Sequence, residues 1–185
     1  HSICVQTPYS DIINLHVNNL EIHTLNNILF SIALSYEAGA RSLNIIEGFD
    51  NYSDVDGRFT VKNGQCGSKV IDSSYNANPE SFIASINSLI RLNGEPWLVM
   101  GEMVELGENS GLYHKKVARH AYNMGVKKLF VISKHASIIL NEFSQNSYAF
   151  DSIDALIIFI KPQLNDNVNI LVKASRFMKF EIIVN

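Results

Sequence analysis

Three short stretches hold most of the side chains that could do chemistry. Asp72 to Pro79 reads Asp-Ser-Ser-Tyr-Asn-Ala-Asn-Pro, Gly101 to Gly107 reads Gly-Glu-Met-Val-Glu-Leu-Gly, and Lys173 to Arg176 reads Lys-Ala-Ser-Arg. Each follows a short apolar run: Val70-Ile71, Trp97 to Met100, and Val168 to Val172. A polar stretch directly after a buried strand lies at that strand's carboxyl end, the edge of a parallel sheet where ligands bind. Asp72, Ser73, Tyr75 and Asn76 supply donors and acceptors there. Asn78 before Pro79 is equally a helix start, with Asn as the cap and Pro at the first position, which needs no ligand. Glu102 and Glu105 could receive an ammonium group, or form a solvated acidic loop. Lys173, Ser175 and Arg176 border a helix expected from about Ser175, so cations and free N–H groups would face one spot, as an anion site requires. Two basic residues at a strand end are also commonly just solvated.

The elements that must position these stretches follow from periodicity. Strands are expected at Lys69–Asp72, Trp97–Met100, Leu129–Ile132, Tyr148–Phe150 and Val168–Val172. Between them, Pro79–Leu92 carries Phe82, Ile83, Ile86, Leu89 and Ile90 on one helical side, with Gly94 closing it. A helix after Ser110 bears Val117, Ala121 and Met124 and ends at Gly125; another spans Ala136–Phe143. Asp151 is placed to cap a helix with Ile153, Leu156, Ile157 and Ile160, stopped by Pro162. Repeated β-α units with short links predict an α/β fold from Phe59 to Asn185: a Rossmann-like, mostly parallel sheet with helices on both faces.

The first 58 residues read differently. Ile12, Ile13, Leu15 and Val17 partly alternate, as a strand would, within the mixed stretch His1 to Leu20. From Thr24, the residues Leu25, Ile28, Leu29, Ile32, Ala33 and Tyr36 form one helical stripe ended by Gly39, and Ser42 starts a second helix carrying Leu43 and Ile46 to Gly48. Two helices without a surrounding sheet cannot form a complete core alone.

Composition narrows the function classes. The 185 residues are 46% hydrophobic and 18% charged, with a net charge of -3, the profile of an ordinary globular protein. The basic residues are scattered, which argues against nucleic acid. No run approaches the ~18 apolar residues of a membrane span, and the chain is expected in the cytoplasm. The two cysteines, Cys4 and Cys66, lie far apart and are expected to be buried or idle; the six histidines show no ligand spacing, so no metal site is expected. A first residue of His1 suggests a chain cut from something longer. Neither Gly-x-Gly-x-x-Gly nor Gly-x-x-x-x-Gly-Lys-Ser/Thr occurs, so this chain alone is not expected to use ATP.

Taken in order, the three motifs resemble those of the Mur ligases, which commonly read D-D-S-Y-N-A-N-P, G-D-M-x-E-L-G and K-G-S-R. Within that family they are similar to the branch that joins D-alanyl-D-alanine to UDP-N-acetylmuramoyl-tripeptide. The resemblance extends upstream, weakly, to His23-Thr24-Leu25-Asn26-Asn27-Ile28-Leu29 and to Gly57-Arg58. It implies that 1–58 is the tail of a central ATP-binding domain and 59–185 the last, Rossmann-like domain of an ATP-dependent amide-forming ligase of peptidoglycan precursor synthesis. It assigns Asn27, Arg58, Asp72, Ser73, Tyr75 and Asn76 to ATP, and Asn78, Glu102, Glu105, His114, Lys173, Ser175 and Arg176 to the acceptor. ATP and Mg2+ would be held mainly by a phosphate loop outside this chain, and a monomer is expected. Thr24, Ser73 and Ala174 stand where the family usually has Asn, Asp and Gly; together they would also fit a non-catalytic binding module derived from such a ligase. A ligase of the same superfamily acting on folate or another amino acid is a further reading, disfavoured by Tyr-Asn-Ala-Asn-Pro.

Overall fold

The computed structural model describes residues 2–8, 10–17, 22–52 and 57–184, and the chain divides into two compact units, 1–54 and 55–185. His1, Leu20 and Asn185, which bound stretches named above, lie outside the described residues.

In the first unit, β1 (Ser2–Gln6) and β2 (Ile12–His16) pair antiparallel, followed by α1 (Ile22–Glu37) and α2 (Ser42–Asp50). The alternation in β2 is real: Ile13 and Leu15 are buried, Ile12, Asn14 and His16 exposed. These two join Val17, Ile28, Ile32 and Ile45 in a small core. The helices therefore do have a hairpin beneath them, which the sequence reading lacked because β1 alternates too weakly. Of the expected stripe on α1, Ile28 and Ile32 are buried while Leu29 and Ala33 are exposed, alongside Phe30 and Leu34. α1 thus carries apolar residues on faces that its own unit leaves exposed.

The second unit runs β3 (Thr60–Asn63), β4 (Lys69–Ser73), α3 (Pro79–Ile90), β5 (Glu95–Met100), α4 (Ser110–Met124), β6 (Lys128–Val131), α5 (Ala136–Phe143), β7 (Ser147–Ala149), α6 (Ile153–Ile160), β8 (Val168–Lys173) and α7 (Glu181–Val184). The six strands lie in the order β3-β4-β8-β5-β6-β7, all parallel except the β3–β4 pair. Both faces are covered. Ile71, Leu98, Met100, Leu129, Val131 and Leu171 pack with α3, α4 and α5, whereas Trp97, Val99, Phe130, Ile170 and Val172 pack with α6 and the Phe180 segment. The alternation of neighbours such as Leu98 and Val99 between two cores is the period-two geometry of a strand buried on both sides.

This α/β reading holds, with four corrections. There are six strands rather than five: β3 is an antiparallel edge strand, a Thr-Val-Lys-Asn run too short and polar to stand out. The cap of α6 is Ser152, whose Oγ accepts from the Ala155 N–H, not Asp151 one residue earlier. The helix expected from Ser175 is a single 3-10 turn, Arg176–Met178, then the four-residue α7. The free N–H groups invoked for an anion site there are not supplied by a proper helix. Both cysteines are free and exposed, so of the two expectations, buried or idle, burial does not hold.

Candidate functional site at the carboxyl edge of the sheet

Strand register brings the three motifs together. Ser73 pairs with Lys173, Lys173 with Met100, and Met100 with Val131, so four parallel strands end at one level and their loops share one edge. The chain leaves β4 for α3 on one face, while after β8 it turns to Phe180 on the other. Where neighbouring exits diverge, a crevice opens between them, the usual ligand position in such sheets.

At the β4–β8 end the polar groups of Asp72, Ser73 and Lys173 are engaged, while Thr60 Oγ1, opposite Asp72, is buried with no partner among the described residues. Asp72 Oδ1 accepts from the Ser74 N–H (3.1 Å) and Oγ (2.7 Å), and its Oδ2 accepts from Lys62 Nζ at 3.1 Å. Lys62 lies on β3 opposite Val70, so it reaches Asp72 diagonally across the strand pair. Lys173 Nζ donates to Ser73 Oγ and to the Asn76 carbonyl, both at 3.0 Å, and lies 5.6 Å from the Phe82 ring centre. No carboxylate accompanies it in these contacts, and burial lowers its pKa to about 8. Asn78 caps α3 in a reciprocal box with Ser81. The cap reading of that residue is thus sufficient by itself.

Above this buried base lies an exposed layer. Tyr75 is 39% exposed, with the Arg58 guanidinium 4.8 Å and the Arg176 guanidinium 5.7 Å from its ring centre. The Gly57 carbonyl accepts from the Tyr75 N–H at 3.0 Å, and a Cβ on Gly57 would stand 2.9 Å from that nitrogen. Only glycine, here at φ +79, lets the backbone come that close and so bring Arg58 over the ring.

At the β5–β6 end the polar groups are buried but not all are matched. Glu102 is 7% exposed; its Oε2 accepts from Ser133 Oγ at 2.8 Å, while its Oε1 is buried with no partner among the described residues. His114 is fully buried, its Nε2 accepting from the Met103 N–H (3.0 Å) and its Nδ1 facing the Ser110 carbonyl (2.8 Å). Those partners assign the proton to Nδ1. Nε2 also lies 3.3 Å from Glu102 Oε2, close enough for an ion pair were the ring charged. Burial pushes the His114 pKa down, and Nε2 is already an acceptor, so the neutral ring is the form the contacts describe. Glu105 is exposed, at φ +64.

Ser175 ties the two ends. Its N–H donates to the Glu102 carbonyl (2.9 Å), and its Oγ accepts from the Val104 N–H (3.1 Å) and approaches the Ala77 carbonyl at 3.5 Å. Ala174 carries no positive φ, so replacing glycine there costs no backbone strain. It is Gly101 that has no room: a Cβ would stand 2.5 Å from Ala174 Cβ and 2.8 Å from the Phe180 ring.

The edge therefore gathers Arg58, Asp72, Ser73, Tyr75, Asn76 and Asn78 with Lys173, Ser175 and Arg176, and places Glu102, Glu105 and His114 on the adjoining loops. Asn27 lies on an exposed side of α1 in the first unit. Sequence reading missed Lys62, Ser133 and His135. Lys62 could have been found from a strand assignment before Asp72; Ser133 and His135 carry no spacing signal, because only the fold brings the β6 loop to Glu102.

A family model described as Mur ligase, glutamate ligase domain, matches residues 57–176. The UDP-N-acetylmuramoyl-tripeptide--D-alanyl-D-alanine ligase of Borreliella burgdorferi is 31% identical over 170 residues, covering 88% of this chain and 36% of the relative. The Buchnera aphidicola (subsp. Baizongia pistaciae) ligase of the same name is 37% identical over 117 residues, 62% of this chain and 25% of its own length. A crystal structure of MurF from Acinetobacter baumannii superposes with a TM-score of 0.80 at 25% identity, over 99% of this chain and 41% of that one. The chain thus spans roughly a quarter to two fifths of the length of these relatives. With the family model covering well over half of its residues, the chain belongs to the Mur ligase family.

Proposed function

We propose that the chain serves an ATP-dependent ligase that adds D-alanyl-D-alanine to UDP-N-acetylmuramoyl-tripeptide in peptidoglycan precursor synthesis, in the cytoplasm and as a monomer. In this reading 1–58 is the tail of the central domain and 59–185 the last domain, which receives the acceptor and touches ATP. The terminal carboxylate of the tripeptide takes the γ-phosphoryl group of ATP with release of ADP, and the D-alanyl-D-alanine amine then displaces phosphate from the acyl phosphate. A bare carboxylate resists amines because its leaving group would be oxide; the acyl phosphate, a mixed anhydride, supplies phosphate as a workable one. Closure of a domain over that intermediate keeps water from it.

The observation that carries the reading is the meeting of Arg58, Tyr75 and Arg176, from three separate segments, at the carboxyl ends of β4 and β8. Two guanidiniums on one exposed ring suit an anionic ligand with a flat or charged end, either nucleotide or peptide carboxylate. We assign Arg58 with Tyr75 and Asn76 to the nucleotide, and Arg176 with Glu105 to the acceptor. Asp72, Ser73, Lys173, Ser175 and His114 then act by positioning the loops, since their polar atoms are spent on one another. The residues present do not fit Mg2+: the carboxylate of Asp72 has both oxygens taken, and no phosphate loop occurs in the sequence.

The test joins the chain to a central domain that carries the phosphate loop and measures ADP release with Mg-ATP and UDP-N-acetylmuramoyl-tripeptide. Release that requires D-alanyl-D-alanine, with none from the chain alone, is expected. A folded, joined protein that stays silent would overturn the reading in favour of a binding module.

A further inference from the structure

We propose that Glu102, His114 and His135 form a binding site for one divalent transition-metal ion of the Zn2+ class, between the loops that follow β5 and β6. Each of the three offers one donor atom, and the donors all lie within 4.8 Å of one another. Independently, the Glu102 carboxylate keeps a buried oxygen, Oε1, with no partner among the described residues. A buried carboxylate oxygen without a donor is costly, and a cation is what it lacks.

Each donor group is also held from behind. His114 Nδ1 faces the Ser110 carbonyl at 2.8 Å, His135 Nε2 lies 3.1 Å from Ser110 Oγ, and Glu102 Oε2 takes the Ser133 hydroxyl at 2.8 Å. Such outer hydrogen bonds are what fix the tautomer and direction of metal-binding imidazoles and carboxylates. One residue, Ser110, orients both histidines, and their rings lie 4.8 Å apart, tilted by 43°. In the neutral form of His114 the Nε2 lone pair accepts from the Met103 N–H, a bond that metal ligation would replace.

Bonds of about 2.0–2.2 Å in a tetrahedral site set neighbouring donors roughly 3.4 Å apart. The Glu102 carboxylate stands beside His114 Nε2 at about that spacing, 3.3 Å measured at Oε2, and Oε1 is the oxygen left open to ligate. His135 is only half-buried and closes the remaining gap by turning its ring; water completes the set. Two imidazoles with one carboxylate select Zn2+ over the oxygen-seeking Mg2+ and Ca2+. The ion would pin the Gly-Glu-Met-Val-Glu-Leu-Gly loop to the loop after β6, whatever the chain's reaction.

The test uses the chelator-stripped 185-residue chain in a Cys4→Ser, Cys66→Ser background, which removes both exposed thiols as competing ligands. Calorimetric titration with Zn2+ is expected to give one site, Co2+ the intense visible absorption of a tetrahedral ion, and excess Mg2+ no competition. His135→Gln is expected to weaken Zn2+ binding by about 100-fold or more with an unchanged melting temperature in chelator, Glu102→Gln to act likewise, and His120→Gln to change nothing. The proposal is overturned if the parent binds no Zn2+ at one-to-one, or if His135→Gln and Glu102→Gln bind as the parent does.

Discussion

At the β4–β8 end of the sheet edge Asp72, Ser73 and Lys173 find partners beneath two exposed arginines, one of them, Arg176, 4.0 Å from Glu181; at the β5–β6 end a carboxylate and two imidazoles lie together with a carboxylate oxygen left over. Both ends arise from the same register of parallel strands. The difference lies in what covers them. β3 brings Lys62 to Asp72, and the Asn76 carbonyl turns back to Lys173, so the first end closes on itself. Glu102 has one hydroxyl and an imidazole that is itself an acceptor, so the second end stays one donor short.

The sharpest contrast is in pH. Burial brings Lys173 from the ordinary lysine value of 10.5 down to about 8. A lysine whose folded pKa is depressed costs stability while charged, and that cost fades as pH rises from about 8 to 10.5, for a span on the order of 3 kcal/mol. Urea denaturation at pH 7 and pH 10 should show the parent gaining on Lys173→Met by a large part of that amount. His114 acts in the opposite range. Its folded pKa lies below 6.5, so the unfolded chain takes protons first as pH falls and stability is lost below about 6.5. His114→Gln should flatten that acid limb; an unchanged limb would remove the histidine from the account.

Next in size is packing where the two ends meet. Gly101→Ala forces a methyl against Ala174 and Phe180 and should cost about 2 kcal/mol or more in thermal unfolding. A variant of parental stability would show that the join between β5 and β8 has slack. Smaller, and a direct contest between the ends, is the pair of carboxylate-to-amide changes. Asp72→Asn loses the Lys62 pairing and an acceptor for Ser74, at about 1–2 kcal/mol. Glu102→Gln, in metal-free buffer, should cost less, because Oε1 has no bond to lose. If Glu102→Gln proves the costlier, the leftover oxygen is not left over.

How much of this could be read beforehand depends on distance along the chain. The α3 start at Asn78-Pro79 and the continuous apolar run through β5 are local signals, and they sit where the sequence puts them. The closeness of Lys173 to Ser73 follows only once β4 and β8 are neighbours, which needs the return of the chain through α6. That same pairing turns Lys173 from an open anion contact into a buried strut, a distinction that no motif carries. β3 was hidden by its length, and with it Lys62. His135 was hidden because its relation to Glu102 and His114 exists only in three dimensions.

The division of labour proposed for the two arginines can be measured directly in the joined ligase. Each guanidinium is exposed, so Arg58→Ala and Arg176→Ala should leave stability within about 1 kcal/mol of the parent. Steady-state kinetics should then separate them: a KM for ATP raised about tenfold with Arg58→Ala, and a KM for D-alanyl-D-alanine raised about tenfold with Arg176→Ala, each corresponding to roughly 1.4 kcal/mol of lost binding. If neither KM moves, the exposed cations at Tyr75 do not face the ligands, and the carboxyl ends of β4 and β8 are not where this domain works.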